Sequence, residues 1–110
     1  MMIPIQITFR DVPHSTALEG LVRERASKLE TYSDRIVGFR VALEAPHRHQ
    51  HNGKQYSVRI DLTVPGDELV VSSDGEDMYA AVNEAFQDAQ RRLRNHFERL
   101  RAQARHPHDS

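Results

Sequence analysis

The sequence predicts an α+β fold, a two-layer sandwich of order β-α-β-β-β-α whose four-stranded sheet carries two helices on one face. Four short segments alternate apolar and polar residues with a period of two, the mark of strands with one buried face. Two longer segments repeat their apolar residues at helical spacing, the mark of amphipathic helices. Because each strand offers only one apolar face, both helices must cover the same side of the sheet.

Ile3, Ile5, Ile7 and Phe9 alternate with Gln6 and Thr8 in the first strand, which Asp11-Val12-Pro13 ends. Thr16 followed by Glu19 matches a capping box, in which a hydroxyl accepts from a free backbone N–H and the carboxylate reaches back to the cap. A helix is expected near 16–32, with Leu18, Leu21, Val22, Ala26, Leu29 and Tyr32 on one stripe. Val37, Phe39, Val41 and Leu43 mark the second strand; Tyr56, Val58, Ile60, Leu62 and Val64 mark the third. Between them Pro46 to Lys54 is polar, includes Asn52-Gly53 and reads as a hairpin loop. Pro65-Gly66 makes the next turn, and Leu69-Val70-Val71 supplies a short fourth strand. Asp77, with Asp74, stands at the opening of the last helix, where acids complement the helix dipole. Met78, Val82, Ala85, Phe86, Ala89, Leu93, Phe97 and Leu100 form its stripe, which ends near 102. One domain over 1–102 and a short frayed tail over 103–110 follow.

With 110 residues and 38% hydrophobic content, one core can form without a disulfide or a metal. The absence of cysteine excludes thiol catalysis and thiolate metal sites and fits a reducing compartment. The N-terminus lacks a basic flank and a long apolar stretch, and no later run approaches the roughly 20 residues of a membrane span. The expected location is therefore cytoplasmic, with no membrane partner.

A formal net charge of −1 argues against coating nucleic acid by bulk positive charge, and no DNA partner is expected. Charge is nevertheless polarised along the chain. Asp67, Glu68, Asp74, Glu76, Asp77, Glu84 and Asp88 fall in a stretch without lysine or arginine. Arg91, Arg92, Arg94, Arg99, Arg101 and Arg105 then follow against the single acid Glu98.

On the last helix Arg92 and Arg99 project along one flank, Arg94 and Arg101 along the other, and Arg91 outward. On the first helix Arg25 and Lys28 lie beside the apolar stripe, where their stems can pack while their charged heads reach out. If the helices lie side by side, these cations frame a basic groove, and the guanidinium fork suits phosphate oxygens. The competing explanation is that arginines late in a helix complement its dipole and solvate an exposed face. Trp is absent and only Tyr32 and Tyr79 fall near such a groove, so recognition of RNA would rest on shape and backbone more than on splayed bases.

His47, His49 and His51 alternate, so an extended loop would put three imidazoles on one side, as a zinc or nickel site needs. Arg48 and Lys54 would repel a cation, and protonated imidazoles beside phosphate are another use of the same loop. A solvated hairpin tip accounts for the pattern equally well. No metal or other cofactor is expected. Nucleophile signatures, phosphate-cradling glycine loops and pocketed carboxylate pairs are missing, so no enzymatic activity is expected.

Glu76-Asp77-Met78-Tyr79-Ala80-Ala81-Val82-Asn83 resembles the start of the last helix of the ribosome hibernation factors, the group that contains ribosome-associated inhibitor A and hibernation-promoting factor. Thr16-Ala17-Leu18, Lys28-Leu29-Glu30, Asp34-Arg35-Ile36 and Val64-Pro65-Gly66 resemble further stretches of the same family, in the same order. The resemblance runs from residue 3 to about 100. It implies the same β-α-β-β-β-α sandwich, which is similar to double-stranded RNA-binding domains. It also implies binding to 16S rRNA of the small ribosomal subunit, in the mRNA and tRNA channel, silencing idle 70S ribosomes. Carried over residue by residue, it makes Arg25, Lys28 and Arg91 rRNA contacts, with Arg92, Arg94 and Arg99 as neighbours on the same surface. Asp88 and Asn95 stand where members often have lysine. Long members add a C-terminal domain for pairing ribosomes; for this chain, pairing would need another factor. The alternative is a protein-interaction module of the same fold that has lost rRNA affinity and uses its acidic stretch.

Overall fold

A computed structural model describes residues 3–45 and 55–105. The element order is β1 (Ile5–Arg10), α1 (Thr16–Tyr32), β2 (Gly38–Glu44), β3 (Tyr56–Val64), β4 (Asp67–Gly75) and α2 (Met78–Arg105). The strands lie in the order β1-β2-β3-β4. β1 runs parallel to β2, as a strand–helix–strand crossover permits, and the other two pairings are antiparallel.

Register explains the single buried face. Ile7 pairs with Val41, Val41 with Ile60, and Ile60 with Val71, so apolar side chains line up across all four strands. Phe39, Leu62 and Leu69 form the neighbouring row. Together with Leu18, Val22, Ala26 and Leu29 of α1 and Val82, Ala85, Phe86, Ala89 and Leu93 of α2 they make one core. The opposite sheet face is polar, and its charges pair across strands: Arg40 meets Glu68 at 2.7 Å and Asp61 at 3.7 Å, and Ser57 donates to Asp74 at 2.8 Å.

Three local features differ from the sequence expectation. Ser15, not Thr16, caps α1: its backbone is extended and its Oγ accepts from Leu18 N–H at 3.1 Å. Glu19 consequently sits one position too late for a capping box and binds His14 and Arg23 instead. β4 is nine residues long, not three. The two-residue turn, with Gly66 at a φ of 80° that favours glycine, brings Asp67 opposite Val64, and pairing then continues to Gly75. Ser72-Ser73-Asp74-Gly75 has low strand propensity, and its partner strand imposes the conformation.

The third difference is at the end of α2, which runs to Arg105. At about 1.5 Å per residue its 28 residues span ~42 Å, against ~30 Å for a nine-residue strand. His96 approaches Asp67, the first residue of β4, so the turns beyond it overhang the sheet. Leu100 and, at the end of α1, Tyr32 belong to the apolar stripes by spacing, yet they are 42% and 43% exposed, Leu100 because it lies on the overhanging turns of α2. Asp77 caps α2 as expected, its Oδ1 accepting from Tyr79 N–H at 3.0 Å.

Candidate functional site

α1 and α2 pack side by side with residue numbers rising together along their seam. Near its start, Arg25 Nε donates to Asn83 Oδ1 across the seam at 2.7 Å. A cleft of about 430 Å³ follows, with Arg25, Lys28 and Tyr32 from α1 and Asn83, Gln87 and Gln90 from α2. A second, about 650 Å³, continues past the end of α1, with Tyr32, Arg35, Arg94, Phe97, Leu100 and Arg101 in its lining. Tyr32 belongs to both, so the two form one groove. The Arg35 guanidinium stands 5.5 Å from the centre of the Phe97 ring, a cation–π contact that holds it at the mouth of the second cleft.

Four arginines away from the seam are held in ion pairs. Among the described residues, Arg23, Arg40, Arg59 and Arg91 each lie against an acid, at 3.1, 2.7, 3.2 and 3.2 Å respectively. Arg92 donates to the Val70 carbonyl at 3.1 Å. None of Arg25, Lys28, Arg35, Arg94 and Arg101, all on the seam, is in an ion pair with a described acid. Two acids share the second cleft, Glu30 and Asp34; Glu30 is turned to the Ile3 N–H at 3.3 Å.

The residues singled out in the sequence therefore divide. Arg25, Lys28 and Arg94 share the seam. Arg91 and Arg92 instead line a shallow depression with Val71, Ser72, Asp88 and Asn95 on the β4 side of α2. Arg99 follows them at helical spacing on that flank. Asp88, at 3.2 Å, neutralises Arg91. Arg35, Gln87 and Gln90 were not visible as site residues from sequence; Arg35 follows the end of α1, and only the docking of the helices shows where it goes. His47, His49 and His51 lie outside the described residues. Among the described residues no group of three or more His, Cys, Asp or Glu side chains is gathered to hold a metal, and no helix is long and apolar enough to cross a membrane.

Residues 5–101 match the family described as Sigma 54 modulation protein / S30EA ribosomal protein. A ribosome hibernation promotion factor of Deinococcus radiodurans is 32% identical over 89 residues; the match covers 81% of this chain but only 46% of that protein, so the chain spans about half of its length. A ribosome hibernation promoting factor of Azotobacter vinelandii is 31% identical over 108 residues, covering 96% of this chain and 95% of the relative. Among solved structures, a ribosomal subunit interface protein from Coxiella burnetii superposes with a TM-score of 0.76 at 19% identity, over 87% of this chain and 99% of that one, which establishes the shared fold.

Proposed function

The chain belongs to the Sigma 54 modulation protein / S30EA ribosomal protein family, and on that premise we propose that it is a non-enzymatic ribosome hibernation factor. It binds the small ribosomal subunit of idle 70S ribosomes through 16S rRNA in the mRNA and tRNA channel, and so silences translation in the cytoplasm.

The observation that carries this reading is the seam groove. Arg25, Lys28, Arg35, Arg94 and Arg101 gather there without acidic partners in ion pairs among the described residues, while Arg23, Arg40, Arg59 and Arg91 elsewhere are ion-paired. Leaving five cations together costs mutual repulsion, which a phosphate backbone would relieve. The groove is long, open and lined by donors, which suits a polyanion. A net charge of −1 is compatible with this, because the acids are concentrated elsewhere, on the sheet face and the β4 side of α2. Arg91, Arg92 and Arg99 carry the weaker share of the contact, since they stand on the other flank of α2.

Sedimentation through a sucrose gradient with vacant ribosomes tests the proposal. The protein travels with 30S and 70S particles at low salt and is released as salt rises, because phosphate contacts displace counterions. Protein that stays at the top of the low-salt gradient refutes the reading.

A further inference from the structure

Resting on that rRNA-binding reading, we propose that Tyr32 is a stacking platform for one unpaired nucleobase, so that the seam groove takes single-stranded rather than duplex RNA. Tyr32 ends α1, its side chain is exposed, and it lines both clefts of the groove at their junction. Cations in no ion pair with a described acid flank it on both sides: Arg25 and Lys28 in the first cleft, Arg35, Arg94 and Arg101 in the second. A strand laid along the seam would thus place phosphates on cations before and after the ring, with one base over the ring face.

The rest of the groove fits this occupant. Gln87 and Gln90 carry amides that both donate and accept, which suits base edges and ribose hydroxyls. A stacked, paired base offers its faces only to its neighbours, so a duplex cannot use Tyr32 without opening. Glu30 and Asp34 are the acids of the two clefts, and the five cations Arg25, Lys28, Arg35, Arg94 and Arg101 outnumber them. Tyr79 is equally exposed but stands at the start of α2, outside both clefts, and provides no such platform.

The test uses the full chain at low salt with an eight-nucleotide RNA carrying one 2-aminopurine, a fluorescent base quenched by stacking, and the same strand annealed to its complement. The parent and Tyr32→Phe should bind the single strand and quench it. Tyr32→Leu should bind at least about fivefold more weakly and lose the quenching, as expected for one base–aromatic stack. Because Tyr32 lies outside the buried core, circular dichroism melts should show both variants folded at the temperature of the assay. The inference is overturned if Tyr32→Leu binds and quenches like the parent, if duplex affinity falls as far as single-strand affinity, if the parent fails to bind the single strand, or if a glutamate-rich peptide displaces the RNA at equal charge concentration. Gradient sedimentation with vacant ribosomes separates the two readings. Ribosome binding with a Tyr32-independent oligonucleotide overturns stacking alone, whereas Tyr32-dependent RNA binding without ribosome binding overturns the ribosomal assignment alone.

Discussion

Arg25 on α1 and Asn83 on α2 are joined across the helix seam by a hydrogen bond of 2.7 Å from Nε to Oδ1. This bond spends one donor of the guanidinium and fixes the plane of the rest, so the cation is presented at the groove already oriented. Asn83→Ala should therefore reduce ribosome affinity by about fivefold, equivalent to ~1 kcal/mol, the typical worth of one such bond. Folding stability should fall by about 1 kcal/mol or less. Binding titrations beside urea melts check both, and unchanged affinity would show that Arg25 needs no orientation.

His96 is buried to 7% exposure in α2, with Nε2 unpartnered among the described residues and Nδ1 3.8 Å from Asp67 Oδ2, beyond hydrogen-bonding distance. An unsatisfied buried polar atom costs about 1–3 kcal/mol, more than a contact of that length to an exposed carboxylate returns. His96→Leu, of similar volume, should hold or raise the unfolding midpoint, measured by thermal melts at neutral pH. A clear drop would mean that the ring makes a stabilising contact.

At the start of α1, Glu19 accepts from His14 at 2.8 Å and from Arg23 at 3.1 Å. The bond from His14, followed by that from Arg23, lowers its pKa below the ordinary 4.5. A carboxylate lowered on folding stabilises the native state above its unfolded value, and that contribution disappears as pH falls through the folded value. NMR titration of Glu19 should give a midpoint below 4.5, and His14→Ala should move it upward. A midpoint unmoved by His14→Ala would assign the shift to Arg23.

Hydrophobic periodicity made the elements legible, because Ile7, Val41 and Ile60 alternate cleanly with polar neighbours and the register aligns them. The length of β4 was hidden because Ser72 to Gly75 pair by continuation of a hairpin and not by their own propensity. For the site, helical spacing placed Arg94 and Arg101 on one flank of α2 and Arg92 and Arg99 on the other. Spacing within one helix does not say which flank meets α1. That depended on docking, which brought Arg94 to the seam with Arg25 and Lys28 and left Arg91 beside Asp88.

Binding of vacant ribosomes by two charge-reversed variants tests the account most directly. One carries Arg25→Glu, Lys28→Glu and Arg94→Glu on the seam; the other carries Arg91→Glu, Arg92→Glu and Arg99→Glu on the opposite flank of α2. Both change net charge equally, and circular dichroism melts confirm that each is folded, a needed control because Arg92 also holds the Val70 carbonyl. The seam variant should lose at least tenfold in affinity, about 1.4 kcal/mol or more, and the flank variant markedly less. Equal losses would reduce the effect to overall charge, and a folded seam variant that binds as tightly as the parent would contradict the assignment of the groove.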